Sequence, residues 1–341
     1  MTSHSGRTIG YVGCDIPVEL ILAAGATPLG VHGRADQVTP HADRYLEATF
    51  TSASRSIAEQ WLNGELDHLE AVIFSRSDDS AQRLYYYLCE LQRRGLCAGP
   101  RPLMYDIAAI TRESSLAHTI ASTRQLARDL GVSDGALVHS LERVRERNDL
   151  LLEIVGSTMA KPAARGSFTQ RTLRAAGRDW SSDFDETLRS AQDPTPARSD
   201  ATPLLLIGSS PADERLHESA ERADANIVAT LNAATPYRFA DTAREGDVFE
   251  QIARRCRAHP WREMLQSPQA FCARALELQV KGVILWVVAE DTGLAWVYPR
   301  VERALREHGI SVLPLTMQKW NVPDETLDAV ANFASTLRTQ P

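Results

Sequence analysis

Two hydrophobic rhythms alternate along this chain: short unbroken apolar runs, and longer stretches in which apolar residues return every three or four positions. The first suits strands buried on both faces and the second suits amphipathic helices. Residues 10–33, GYVGCDIPVELILAAGATPLGVHG, set the scheme. A short apolar run leads into Gly13, Cys14 and Asp15. Asp15 stands where it would cap a helix carrying Pro17 and Glu19 in its first turn. Ile16, Leu20, Ala23 and Ala24 share one helical face, Gly25 ends it, and residues 27–31 read as a second strand. This opening puts small residues and a helix N-terminus at one sheet edge, a place suited to an anionic or thioester ligand.

The pattern predicts a helix around residues 56–62 and a buried parallel strand at 69–74, followed by SRSDDS at 75–80. A helix with Leu84, Leu88 and Leu91 comes next, its tyrosines 85–87 expected to pack or to meet a second subunit. Residues 102–107 read as a strand. From 115 to about 192 the rhythm is helical, with Ser133 as a cap and the Arg and Glu side chains forming a solvated outer face. The Pro- and Asp-rich stretch 193–203 reads as a linker. A second unit then repeats the design: a strand at 203–207, a turn at Gly208, and a helix capped by Ser210 with Pro211 and Asp213 in its first turn. Strands follow at 225–231, 282–291 and 310–315, with helices from 249, at 301–309 and at 324–337. The expected fold is α/β: two doubly wound, Rossmann-like domains, 1–114 and 200–341, joined by a helical segment and linker, 115–199, with a cleft between the domains.

Composition narrows the function. A chain of 341 residues, 43% hydrophobic, suits about two soluble domains. A formal charge of −7 argues against a nucleic-acid surface. No apolar run approaches the ~20 residues of a membrane span, and MTSHSGRT lacks a signal-peptide core, so the cytoplasm is expected. The five cysteines, 14, 89, 97, 256 and 272, show no CxxC spacing and are expected as reduced thiols. Cys89 and Cys272 read as small core residues, while Cys14 is placed to touch a ligand. No HExxH and no G-x-S-x-G occurs, so zinc-protease and serine-hydrolase chemistry find no support.

Three short stretches are each read as following a strand: TSASRS at 51–56, SRSDDS at 75–80 and AEDT at 289–292. Together with P-V-E-L-I-L-A-A-G-A-T-P at 17–28, R-V-R-E-R-N at 143–148, and the strands that open and close the second half, they resemble the 2-hydroxyacyl-CoA dehydratase D-component family, which includes benzoyl-CoA reductase subunits. The resemblance spans nearly the whole chain. It implies two α/β domains, a CoA-thioester substrate, a homologous partner subunit, and a [4Fe–4S] cluster fed single electrons by an ATP-dependent activator.

The family's three cluster cysteines correspond here to Thr51, Asp78 and Glu290. Iron–sulfur clusters are held by soft thiolates, whereas hydroxyl and carboxylate oxygens suit hard cations. Three readings follow. The chain is a subunit whose partner carries the cluster. Alternatively, Thr51, Asp78 and Glu290, with Asp79 and Asp291 beside them, form an oxygen-rich metal or acid–base site. Or the fold serves as a binding or assembly module. Gly13, Cys14 and Asp15 are expected at the thioester or phosphate. Arg55 and Arg83 match basic positions of the family motifs, and are expected either to attract phosphate or to pair with Asp78 and Asp79. No residue is assigned as a metal ligand.

Overall fold

The computed structural model describes residues 6–108, 110, 112–161, 163–234, 244–258 and 260–339. Its strands are β1 (Thr8–Val12), β2 (Thr27–Gly30), β3 (Ala71–Ser75), β4 (Arg101–Tyr105), β5 (Thr202–Gly208), β6 (Ala225–Leu231), β7 (Gly282–Val288) and β8 (Ser311–Gln318). The helices are α1 (Val18–Ala23), α2 (Ser52–Leu62), α3 (Asp79–Arg93), α4 (Glu113–Leu130), α5 (Asp134–Gly156), α6 (Gly166–Arg178), α7 (Ser182–Arg189), α8 (Arg215–Arg222), α9 (Val248–Arg257), α10 (Pro260–Gln266), α11 (Pro268–Glu277), α12 (Thr292–Glu307) and α13 (Asp324–Thr339). None of them is long and apolar enough to cross a membrane.

The chain divides into two compact units. The first comprises residues 1–150, 175–189 and 238–258, and the second comprises 151–174, 190–237 and 259–341. Each holds one four-stranded, wholly parallel sheet, ordered β2-β1-β3-β4 in the first and β6-β5-β7-β8 in the second. The two sheets are therefore the same doubly wound design used twice. β3 and β7 are buried along their whole length, as strands with helices on both faces must be.

In the first unit one face of the sheet packs Ile9, Tyr11, Ala71 and Ile73 against Leu126, Leu130, Leu137, Leu141, Trp180 and Ile252. The other face packs Val12, Val72 and Phe74 against Phe50, Ile57, Trp61, Leu84 and Leu88. The second unit repeats this, with Leu205, Ile207, Val283 and Leu285 on one side and Leu204, Leu206, Ile284 and Trp286 on the other.

Several local expectations are corrected. α1 starts at Val18 with Pro17 as its N-cap and no side-chain capping bond, so Asp15 lies two residues too early to cap it. α2 opens four residues before residue 56, because Thr51 caps it. α8 begins at Arg215 with Glu214 at its N-cap, so Ser210 and Pro211 belong to the preceding loop, while Asp213 accepts from the Arg215 N–H at 3.0 Å. α12 begins at Thr292 and runs through Pro299, held by the burial of Leu294, Tyr298, Val301 and Leu305. On α5 the expected solvated face includes Arg145 and Arg147, which are buried. Cys89 is half-buried rather than in the core, while Cys272 is buried.

Candidate functional sites at the strand switch points

In an open parallel sheet the two central strands whose connections leave in opposite directions splay their carboxyl ends apart, and ligands bind there. In the first unit those strands are β1 and β3, with Val12 beside Phe74. The loop after β1 carries Gly13, Cys14 and Asp15, and the end of β3 with its loop carries Ser75, Ser77 and Asp78. Gly13 has φ +105°, and a Cβ there would stand 2.9 Å from the Ser75 Cβ, so only glycine lets the two loops approach this closely.

Cys14 is exposed, but Asp15 beside it is only 1% exposed. Neither Asp15 carboxylate oxygen has a hydrogen-bond partner among the described residues. A buried carboxylate without partners is expensive, which makes Asp15 the polar group of this loop most in want of a donor. Across the switch point, the Ser75 hydroxyl lies 2.9 Å from that of Ser77 and accepts from the Ser77 N–H.

Asp78 is the N-cap of α3, its Oδ1 accepting from the Ala81 N–H at 2.7 Å. Asp78 is exposed as a residue, but the protein atoms crowding its carboxyl disfavour the charged form and push it above the usual carboxylate range. The Ala81 N–H opposes that shift, and the nearby Asp15 and Asp79 charges reinforce it.

Thr51 caps α2: its Oγ1 accepts from the Ser54 N–H at 3.2 Å and donates to the Ser54 hydroxyl at 3.1 Å. Arg55 and Arg83 do not pair with Asp78 or Asp79. Arg55 binds Asp43 at 2.6 Å and the Leu46 and Glu47 carbonyls. Arg83 binds Glu47 and Thr49, and stacks over Phe50 with its guanidinium 4.2 Å from the ring centre. Both arginines therefore brace the loop at residues 43–50. Of the tyrosines on α3, Tyr87 joins them through its hydroxyl on Glu47, and Tyr86 stays exposed.

In the second unit the switch point lies between β5 and β7. Gly208 has φ +144°, and a Cβ there would overlap the Trp286 carbonyl oxygen at 1.9 Å. Ser209, which follows it, receives the Val288 N–H on its hydroxyl and donates to Asp291 Oδ2, each at 3.2 Å. Asp291 caps α12 through Oδ1 on the Leu294 N–H. Glu290, immediately before it, is half-buried. Burial raises the Asp291 carboxyl above its ordinary value, while the bonds from Leu294 and Ser209 oppose the shift.

Tyr298, two turns along α12, is 2% exposed, and its hydroxyl has no partner among the described residues. That hydroxyl would lie 2.4 Å from a Cβ at Gly208, so it sits against the same turn. Burial, with the Asp291 charge second, holds the phenol well above its usual value. Sequence reasoning missed Ser209 and Tyr298. The Gly-Ser-Ser after a strand was a usable signal for the first, whereas only the fold brings the second back to β5.

Two of the three positions implied as cluster ligands, Thr51 and Asp78, are helix caps, and the third, Glu290, only stands beside one, Asp291. Threonine and aspartate are among the strongest N-caps. Their oxygens are hard donors engaged with backbone N–H groups. All five cysteines are thiols placed elsewhere, on the β1–α1 loop, on α3 and the loop after it, on α9 and on α11. No group of three or more metal-binding side chains assembles among the described residues. A [4Fe–4S] cluster does not fit this donor set.

Fold and loops define a protein of two doubly wound parallel-sheet units whose carboxyl-end loops carry polar switch-point residues. The sequence pattern of the 2-hydroxyglutaryl-CoA dehydratase D-component family matches residues 14–328, and the chain belongs to that family. No curated protein matches it closely enough to add a nearer relative.

Proposed function

We propose that this chain is a cluster-free subunit of a 2-hydroxyacyl-CoA dehydratase or benzoyl-CoA reductase-like system, acting on a CoA thioester in the cytoplasm beside a homologous subunit that holds the cluster. Family membership over residues 14–328 supports the system. The observation that carries the cluster-free part is the capping role of Thr51, Asp78 and Asp291 where the family places or flanks thiolates. In this reading the Gly13–Cys14–Asp15 loop contributes to the thioester pocket through its exposed residues, Gly13 and Cys14, with Asp15 buried beneath them. Arg55 and Arg83 shape the loop at residues 43–50.

A second reading is favoured by the unpartnered Asp15 and the raised Asp78 carboxyl: an acid–base site on the thioester that needs no cluster. Anaerobic purification, alone and with a co-expressed homologue that retains the three cysteines, separates the two. Iron and sulfide are expected only in the two-chain complex, with acyl-CoA dehydration or reduction there. Stoichiometric iron and sulfide in the lone chain would overturn the cluster-free assignment. Turnover of an acyl-CoA by the metal-free single chain, lost in Asp78→Ala, would establish the second reading instead.

A further inference from the structure

α12 starts at the second-unit switch point, where Asp291 caps it, and packs on its sheet through Leu294, Tyr298, Val301 and Leu305. Trp296, Arg300 and Arg303 are exposed on the other side of the helix. Spaced four and then three residues apart, they line up along one face. Trp296 is 84% exposed, more than any other large apolar side chain among the described residues.

None of the three has a hydrogen bond, an ion pair or a ring contact among the described residues. The next arginine of α12 is engaged: Arg306 binds Glu302 at 2.9 Å. The fold gains nothing from this face. An indole left in water forgoes its burial, and like charges three apart on a helix repel. Three neighbouring choices that each disfavour the isolated chain mark a place where local rules yield to function.

The chemistry of the three narrows the occupant. A bare indole stacks a planar ring, and guanidinium groups take phosphate oxygens in pairs. Along the axis Arg300 lies about 6 Å and Arg303 about 10 Å beyond Trp296, comparable to the reach of a nucleotide from its base to its first and second phosphates. A specific protein interface needs about 1,200 Å² or more of joint surface, so three side chains on one helix suit a small molecule better.

We propose that this face binds a nucleoside polyphosphate, with Trp296 stacking the base and Arg300 and Arg303 taking the phosphates. Free nucleotides and the nucleotide end of CoA share this chemistry. The face lies within the second unit and uses no residue of the thioester reading above.

The full chain labelled with fluorotryptophan, without magnesium, tests it. Its six tryptophans report by fluorine NMR, and Trp296→Leu identifies the resonance of Trp296. ADP and CoA are expected to shift that resonance saturably, and adenosine to do so at least tenfold more weakly. Arg300→Gln and Arg303→Gln alter only exposed positions. Each should weaken ADP about fivefold and flatten its dependence on salt. Phosphorus line broadening of ADP reads the phosphates instead of the indole, and should show affinity about tenfold lower in Trp296→Leu. CoA bound tenfold or more above ADP assigns the face to the end of CoA, and ADP bound as tightly as CoA assigns it to free nucleotides. Adenosine matching ADP, arginine variants without effect, or phosphorus broadening unchanged in Trp296→Leu would each overturn the proposal. So would a Trp296 resonance that moves with protein concentration but not with nucleotide, which would place a second copy on this face.

Discussion

Asp78 serves two demands that pull its carboxyl in opposite directions. As the N-cap of α3 it is stabilised by the Ala81 N–H, while desolvation and the neighbouring carboxylates disfavour its charge and win. An acid whose folded pKa is raised costs stability once it ionises. The cost is absent below the ordinary carboxylate value, grows as pH rises through the raised one, and is complete above it. Asparagine caps about as well as aspartate but carries no charge. Asp78→Asn is therefore expected to match the wild type near pH 3 and to exceed it slightly once pH passes the raised value, solvent keeping the gain small at this exposed position. Asp78→Ala should sit about 1 kcal/mol below Asp78→Asn at every pH, because it loses the cap. Urea denaturation of the three proteins across that range checks both statements, and parallel curves for wild type and Asp78→Asn would refute the first. At this scale the sequence was partly legible. Thr51 and Asp78 were singled out by motif position, and both proved to be caps. Asp15 was read as a cap and is not one. The difference is a matter of two residues at Pro17, which fixes the N-cap and leaves Asp15 buried without a partner.

At the scale of elements, the alternation of strands and helices was readable because buried parallel strands and amphipathic helices have distinct periods. What the periods concealed was α5. Its Arg143, Arg145 and Arg147 look like a solvated stripe, since a buried arginine and an exposed one are the same letter. Arg147 is 2% exposed: it binds Asp185, the Ala176 carbonyl at 2.8 Å and the Asp179 carbonyl at 2.5 Å, and stacks on Trp180 with its guanidinium 4.4 Å from the ring centre. Arg143 reaches the Trp180 carbonyl and Asp185 as well. The R-x-x-x-R motif therefore ties α5 to the end of α6 and the start of α7. Burial has lowered the Arg147 guanidinium to about 10, yet it remains charged at neutral pH. Arg147→Ala leaves two carbonyls without their donor and the buried Asp185 with only the longer bond from Arg143, and is expected to cost about 3–5 kcal/mol in urea denaturation. A loss below about 1 kcal/mol would show that the clamp is only surface electrostatics.

Over the whole molecule, the first unit closes its core with chain that arrives long after its last strand. Trp180, Ile252 and Cys256 belong to the cluster that covers Ile9, Ala71 and Ile73. Arg255 bonds Glu19, a fully buried member of the opening motif, at 2.7 Å. Burial disfavours the Arg255 charge, but the Glu19 charge outweighs it and holds the guanidinium above its ordinary value. No local pattern in residues 17–28 announces a partner 236 positions away. Composition and periodicity see neighbours in sequence, and this contact is made only by the return of residues 238–258 to the first unit. A chain ending at residue 150 keeps all four strands of the first sheet, and Leu126, Leu130, Leu137 and Leu141 on one face, but loses Trp180, Ile252 and Cys256 from that cover and strands Glu19 without its cation. It is expected to lack a cooperative thermal transition in circular dichroism and to be cut rapidly by protease, whereas the full chain resists. Stranded charge and lost apolar cover can be told apart within the intact protein. Glu19→Gln keeps the apolar cover, so it should still unfold cooperatively but at lower denaturant, by the several kcal/mol that an unpaired buried arginine costs. If the fragment instead melts cooperatively, the first sheet is held by residues 1–150 alone. The return of the later segments would then serve to build the Glu19–Arg255 pair beneath the switch point rather than the fold.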